Sequence, residues 1–484
     1  MTLLQSIQQD LQEDLSGKVQ KLPSDILKYY DLASGLMIDG VGSDYIKWNM
    51  ASFMGRVNYG YMGRYLLTLS ARYDGSSRLA EGHKWVLFPS AALAWRISDE
   101  PFMKDLVWLD NLKLRVGYGK TGNSAVSPYQ TKGQLALRHY VFNNGSSEYI
   151  GYAPSVMAND QLTWETTDQW NVGVDFGFLK NRINGTVEFY LQNTKDLLLK
   201  RQLPVVSGFS SVMSNVGSTR NKGIEITLNT RNIMNRNFTW STDLTFSANK
   251  EEIVELYNGK TDDVGNLWFI GQPIDVYYNY KKIGIWQNTE NDLAEMAKFN
   301  EKGANFKPGS IRLEDVDGDY KITEEDKQIL GSVRPKFVAS MVNNFEFKGF
   351  DLSVFLYASV GGLLRNNIEF MEKPGRGNTV KVDYWTPTNP TNAFPRPSVD
   401  VEKLDYISTL GYDKADFLRI RNITLGYTLP EMWSKKVLMD KIRIYLSANN
   451  PAIFTNFTGI DPEGANGRTA PSYSTWMFGI NLSM

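Results

Sequence analysis

The chain has 484 residues with 52 Lys and Arg against 53 Asp and Glu, so bulk charge gives no case for a nucleic-acid partner. It contains no cysteine, which excludes disulfides and thiolate chemistry. No apolar run reaches the roughly 18 residues of a transmembrane helix, whereas a mean hydropathy of -0.34 is compatible with a β-barrel, in which half of each strand is polar.

In chain order, Leu4, Ile7, Leu11 and Leu15 sketch a short amphipathic helix before Gly17, and Pro23-Ser24-Asp25 opens loop-like sequence. Residues 1–45 are therefore read as an N-terminal helix and outside-loop remnant, and residues 46–484 as barrel. Met1-Thr2-Leu3-Leu4-Gln5-Ser6 lacks the basic start and apolar core of an export signal, so the chain is expected to be a fragment.

The first span is expected at residues 50 to 59, where Phe53, Val57 and Tyr59 alternate with Ser52, Arg56 and Asn58. Spans near 65–74, 86–97, 111–120, 164–178, 182–198, 219–232 and 238–250 follow. The pattern is clearest where Trp170, Val172, Val174, Phe176 and Phe178 oppose Asn171, Gly173, Asp175 and Gly177. After an interruption come 335–347, 351–360, 415–429, 440–449 and 474–484. That gives about 13 spans, most near or above the roughly 10 residues a tilted membrane strand requires.

The connections at 60–63, 179–182, 233–237 and 348–350 are tiny, whereas 121–163, 199–218, 251–334, 361–414 and 450–473 are long. Short inner turns and long outside loops orient an outer-membrane barrel. By that rule the first and last spans both run inward and the count is odd. Val276-Tyr277-Tyr278 to Gly284-Ile285-Trp286 then belongs to an outside excursion over 251–334. Near Ile420 to Ile423 the alternation slips phase, as at a β-bulge.

Several stretches carry a family resemblance: Arg64-Tyr65-Leu66-Leu67, Arg72-Tyr73-Asp74-Gly75-Ser76-Ser77-Arg78, Phe88-Pro89-Ser90 and Ala94-Trp95-Arg96-Ile97-Ser98. Leu112-Lys113-Leu114-Arg115, Gly117-Tyr118-Gly119-Lys120-Thr121-Gly122-Asn123 and Asn221-Lys222-Gly223-Ile224-Glu225 continue the set. It ends with Phe417-Leu418-Arg419-Ile420-Arg421-Asn422 and Gly459-Ile460-Asp461-Pro462-Glu463. The chain resembles the C-terminal barrel portion of SusC/RagA-type TonB-linked outer-membrane transporters. The resemblance implies an all-β, antiparallel transmembrane barrel segment of a larger barrel of about 22 strands with a plugged lumen. It further implies uptake of oligosaccharides or peptides in the outer membrane of a Gram-negative, Bacteroidetes-like bacterium. A SusD-like surface lipoprotein would act as lid and the TonB complex as energy source. The plug, the TonB-contacting segment and about nine strands would lie in a missing N-terminal part.

At the chain's end Trp476, Phe478, Ile480, Leu482 and Met484 share one apolar face, which resembles the terminal strand read by the barrel-assembly machinery. Met484 stands where the usual last aromatic would be.

The sharpest local motif runs from Asp315 to Asp326. Asp315, Asp317, Asp319, the Lys321 carbonyl, Thr323 and Asp326 have the spacing of oxygen ligands around a structural Ca²⁺. Tyr320 replaces the turn glycine, Asp326 is shorter than the usual Glu, and a solvated acidic turn is the alternative. Gly119-Lys120-Thr121 lacks the earlier glycine of a phosphate loop, since Leu114 stands there. His83 and His139 have no partner at metal-ligand or triad spacing. Asp175, Glu188, Glu225, Asp243 and Glu346 are expected to hydrate the lumen or meet a plug. Trp164, Tyr149, Tyr152, Trp268, Trp385 and Phe394 are expected to pack in the loops, with sugar stacking as the other use. No catalytic constellation is present. The rival class is a secreted, soluble, Ca²⁺-dependent glycan-binding or adhesin protein, in which the apolar face would be buried between sheets. A β-rich glycan hydrolase is a further rival.

Overall fold

Fourteen strands join edge to edge in chain order into one antiparallel sheet. This is a computed structural model that describes residues 1–145, 147–366, 382–397, 405–464 and 472–484. Parts of the outside segments 361–414 and 450–473 lie outside the described residues. The first seven wall strands are β1 (Thr2–Gln20), β2 (Met37–Tyr61), β3 (Tyr65–Ser76), β4 (Trp85–Arg96), β5 (Leu109–Asn123), β6 (Glu165–Phe178) and β7 (Ile183–Lys195). The remainder are β8 (Ser218–Met234), β9 (Phe238–Glu255), β10 (Phe337–Phe347), β11 (Phe350–Val360), β12 (Phe417–Thr428), β13 (Lys441–Thr455) and β14 (Thr475–Ser483).

The alternation becomes two unlike faces. Trp170, Phe189 and Phe478 stand 50%, 55% and 71% exposed, so the apolar face has no protein layer over it. A patch of that extent far exceeds what soluble monomers leave open, and it does not fit a soluble sandwich. Aromatic belts mark both ends of the wall. Near the inner turns, ring centroids lie 6.3 Å apart for Tyr65–Trp95, 5.7 Å for Trp240–Phe345 and 4.5 Å for Phe350–Tyr427. Near the outside loops they are 5.0 Å for Tyr73–Trp85, 4.9 Å for Tyr118–Trp170 and 5.5 Å for Phe246–Phe337. Trp170 to Phe178 spans roughly 27 Å along β6, or about 21 Å of height at a tilt near 40°, close to the apolar band of an outer membrane.

Inner turns are tight for a local reason. Lys348 and Gly349 both take left-handed backbone, φ 46° and 87°, which is the two-residue hairpin that matches strand twist. The bulge expected near Ile420 is present: register slips between Ile420 and Asn422 against β13, and between Phe355 and Leu356 against β12. Residues 276–280 and 282–285 pair with 327–332 and 311–313 in separate two-stranded sheets, so they do belong to the outside excursion.

The N-terminal reading is corrected. Residues 2–20 form no helix but a 19-residue strand paired with β2 from Thr2–Arg56 to Gln20–Met37. Leu4, Ile7, Leu11 and Leu15 have the spacing of a helix face, but Ile7, Leu11 and Leu15 also share one face of a strand, with Leu3 beside them and Leu4 on the other face. Pairing at long range decided between them. The wall therefore has 14 strands where about 13 were expected, and β2 is longer than the span at 50–59. Its first and last strands both reach the inner side, since Thr2 sits opposite Arg56 and Ser483 opposite Lys441. Among the described residues β1 and β14 are the sheet's two free edges.

The two faces should respond oppositely to charge. Ile226 and Thr227 are neighbours at mid-β8, with Ile226 on the face of Phe189 and Ile224 and exposed Thr227 on the polar face. Ile226→Arg should cost about 2–4 kcal/mol and Thr227→Arg under about 1 kcal/mol, measured by denaturant unfolding in lipid vesicles.

Candidate functional site

The outside segments form a folded layer with its own small cores. In the 251–334 excursion, helix α1 (Glu290–Glu301) is capped by Thr289, whose side chain accepts the Asp292 N–H. Met296 and Phe299 on α1 pack with buried Trp286. Arg312 lies 4.5 Å over the Trp286 ring and pairs with Asp292 at 3.2 Å and Glu295 at 2.5 Å. Ile322 packs into this cluster and into the neighbouring one of Ile285, Ile311, Leu313, Trp385 and Leu410, as an anchor of the acidic loop should.

That loop gathers one carboxylate oxygen each from Asp315, Asp317 and Asp326 within 4.8 Å of one another. Asp326 is fully buried and accepts the Val316 and Thr323 N–H groups at 2.8 and 2.7 Å. Asp315 accepts the Gly318 and Tyr320 N–H groups, each at 2.9 Å. Tyr320 takes φ 62°, the left-handed backbone that a glycine supplies in such loops. Its ring meets Phe299 edge-on at 5.4 Å, a contact in the small core that glycine could not make. Asp319 is not among the gathered carboxylates; it accepts the Lys321 N–H at 2.7 Å. Thr323 caps the short turn that follows, accepting the Glu325 N–H.

The stretches that carry the resemblance meet in space. Phe88 packs edge-on against Trp164 at 5.4 Å and fills the space where Gly122 has no side chain. Together with Leu79, Val126 and Leu162 they form a core at the outer end of the wall. Arg72 donates to Asp74 at 2.7 Å and to Ser52 at 3.0 Å. Arg419 and Asp461, both buried, pair at 2.7 Å, and Glu463 pairs with Arg419 at 2.8 Å and also with Arg421. This clamp ties the last long loop to β12. Burial by itself would raise the Asp461 carboxyl. Hydrogen bonds from Ser472 and from the Glu463 N–H, with the Arg419 charge, hold it below the usual carboxylate range.

At the inner end, Arg64, Tyr65 and Trp95 converge on Glu100 with donor distances of 2.7, 2.6 and 3.0 Å. The hydrogen bond from Tyr65, then those from Trp95 and Arg64, hold the Glu100 carboxyl down at about 2. On the polar face Asp175 pairs with Arg115 at 2.9 Å and Lys113 at 3.3 Å, and Glu188 joins at 2.5 Å from Arg115. Glu225 and Asp243 stay exposed to the lumen, as does Glu346.

Loop aromatics divide by burial. Trp164 and Trp385 are buried, Trp385 donating to Gln287 at 2.8 Å, and Phe394 packs at the same cluster. Tyr149 and Tyr152 stand 61% and 68% exposed on the outside hairpin of 134–142 with 147–156. His83 and His139 both lie in the outside layer, and Gly119-Lys120-Thr121 continues β5. A cavity of about 1150 Å³ lies between the upper wall and the excursion, where Tyr190, Glu251, Arg334, Lys414 and Asp416 are among its lining.

Comparison with known proteins gives a consistent family. The profile described as TonB dependent receptor-like, beta-barrel matches residues 17–451. TonB-dependent receptor P3 of Formosa agariphila is 33% identical over 488 residues, which cover 94% of this chain and 48% of that protein. TonB-dependent receptor SusC of Bacteroides thetaiotaomicron is 32% identical over 455 residues, 90% of this chain and 43% of that protein. The chain spans about half the length of the curated relatives it matches. A solved structure of the RagAB peptide transporter aligns with TM-score 0.79 and 25% identity over 95% of this chain and 50% of that one.

Two outcomes follow from the clamps. A carboxyl depressed to about 2 stabilises the fold fully above its ordinary value of 4.5, and the gain disappears as pH falls through 2. Glu100→Gln should therefore lower the unfolding midpoint at neutral pH and flatten its decline between pH 4.5 and 2. Arg419→Met leaves Asp461 buried without its cation and should cost about 3–5 kcal/mol, with early protease cleavage in the last outside loop.

Proposed function

The chain belongs to the TonB-dependent receptor β-barrel family, whose barrels are outer-membrane proteins, and from that premise we propose that it is the larger part of the wall of a nutrient importer. Cargo is an oligosaccharide or a peptide, and the chemistry is non-covalent. The observation that carries this reading is the wall itself: a continuous apolar outer face between two aromatic belts, a polar inner face, and outside segments folded into a layer. One matched structure is of a peptide transporter, which supports the peptide class; the oligosaccharide class rests on the resemblance to SusC-type transporters.

Backbone N–H and C=O groups cannot stay unpaired in hydrocarbon, at several kcal/mol each, so edges β1 and β14 require closing strands. These, with a plug and the TonB contact, come from another part of a longer polypeptide, of which this chain is a fragment. A SusD-like lipoprotein covers the outside layer. The outward row Trp476, Phe478, Ile480 and Leu482 on β14 serves the barrel-assembly machinery, with exposed Met484 just beyond the strand.

The Asp315–Asp326 loop holds a structural Ca²⁺ in this reading. Convergence of Asp315, Asp317 and Asp326 supports it, as does left-handed Tyr320. The Lys321 carbonyl, Thr323 and Asp319 would complete the hard-oxygen set. The ion would pin the loop to the cluster through Ile322 and stiffen the outside layer against its lid.

Deleting the TonB gene or the gene of its SusD-like partner in the native bacterium should each abolish uptake of labelled cargo; undiminished uptake in both strains would overturn the transport reading. Terbium luminescence sensitised by Tyr320 should titrate with Ca²⁺ competition at about 10⁻⁴–10⁻³ M and vanish in Asp315→Asn/Asp317→Asn. A signal identical in that variant would remove the ion from the loop.

A further inference from the structure

The outward face of the wall is apolar until it reaches the outer rim of β7, β8 and β9. One register row runs from Tyr118 to Trp170, then to Leu191, Lys222 and Lys250. All five side chains share a face, because directly opposed residues of paired strands point the same way. Tyr118 and Trp170 belong to the outer aromatic belt, so two ammonium groups stand side by side where that belt continues. One row higher are Asp168, Asn193, Arg220 and Glu252, and Lys195 follows on β7.

Like charges directly opposed on a sheet repel, and internal carboxylates relieve little of it here. Lys222 is exposed and has no ion pair among the described residues. Glu252 lies 3.8 Å from Lys250 and 3.6 Å from Arg220, long contacts shared by two cations. Asp168 accepts the Tyr118 hydroxyl at 2.8 Å. Arg220 donates to Asn193 at 2.9 Å, which fixes its fork over a cavity of about 260 Å³ lined by Asp168, Asn193, Lys195 and Arg220. At the inner end of the same strands the outward positions are Ile183, Thr230, Thr242 and Trp240, all uncharged.

A cationic patch confined to the outer rim and turned away from the lumen cannot serve cargo. It faces the headgroup layer of the outer leaflet. We propose that this patch binds the phosphate of a phosphorylated glycolipid of that leaflet. Lys222 and Lys250 hold the phosphate from the membrane side, and Arg220 offers its fork with Lys195 beside it; a planar guanidinium and clustered ammoniums are the donors that match phosphate oxygens. The acyl chains lie along Phe189 and Ile224 below, on the same face.

The inference rests on the outer-membrane placement but not on the cargo. The test uses the whole transporter that carries this wall, extracted from its own outer membrane and placed in nanodiscs containing lipid A, dephosphorylated lipid A or phosphatidic acid. Phosphorylated lipid A should be retained about tenfold more than the other two. Lys222→Gln/Lys250→Gln should remove that preference, and Lys222→Arg/Lys250→Arg should keep it, with TonB-dependent uptake of cargo unchanged in both. Equal retention of lipid A and its dephosphorylated form by the unaltered protein overturns the proposal without reference to any variant's folding. Equal retention of phosphatidic acid overturns the choice of glycolipid, and an undiminished preference in the glutamine variant overturns the assignment of residues. Absence of uptake by the unaltered protein would count against the transport reading, not against this site.

Discussion

Hydrocarbon leaves no backbone group unpaired, and this requirement organises the wall. Each strand must donate and accept along its whole length to two neighbours, so the sheet extends strand by strand in chain order. Once pairing is continuous, side chains alternate between lipid and lumen, and the composition of each face follows. Phe189 and Trp170 remain exposed in the isolated chain because their partner is the bilayer. The same pairing keeps inner connections short, as at Lys348-Gly349, and sends every long insertion outside.

The outside layer obeys ordinary aqueous rules. It buries Trp286 with Phe299 and Met296, caps its helix with Thr289, and closes its small sheets on one another. Charged side chains act there as clamps. Arg419 with Asp461 and Glu463 holds a loop against the wall, and Arg312 with Asp292 and Glu295 holds a helix over a tryptophan. At the opposite end Glu100 ties an inner turn to two strands through three donors. Both ends thus use side-chain hydrogen bonds to fix their connections, and the polar face of the wall carries its own, as from Arg115 to Asp175.

Much of this could be read before any coordinates. The phase slip near Ile420 marked a bulge because period-two alternation is sensitive to one extra residue. The excursion at 251–334 was recognisable from its length and from the parity of the turns. Residues 2–20 were misread because Leu4, Ile7, Leu11 and Leu15 have helical spacing while the last three also share one strand face, and only the partner β2 discriminates. Glu100 gave no signal, since its donors come from the end of β4 and from Arg64 and Tyr65 at the start of β3, some 35 residues away. Arg419 and Asp461 lie 42 residues apart, and their pairing needs the loop to fold back. Of the acidic loop, spacing identified the ligand types, but only the folded turn brought Asp315, Asp317 and Asp326 together and left Asp319 aside.

Alternation, turn lengths and aromatic content determined by themselves that this chain is an antiparallel membrane wall with long outside loops, because those properties are local and repeat along the chain. Tertiary structure alone decided that the wall starts at Thr2, which motif stretches touch, and which cations have no counter-charge among the described residues, as at Lys222. These depend on which strand lies beside which and at what register, and contacts between residues far apart in sequence leave no periodic trace in it.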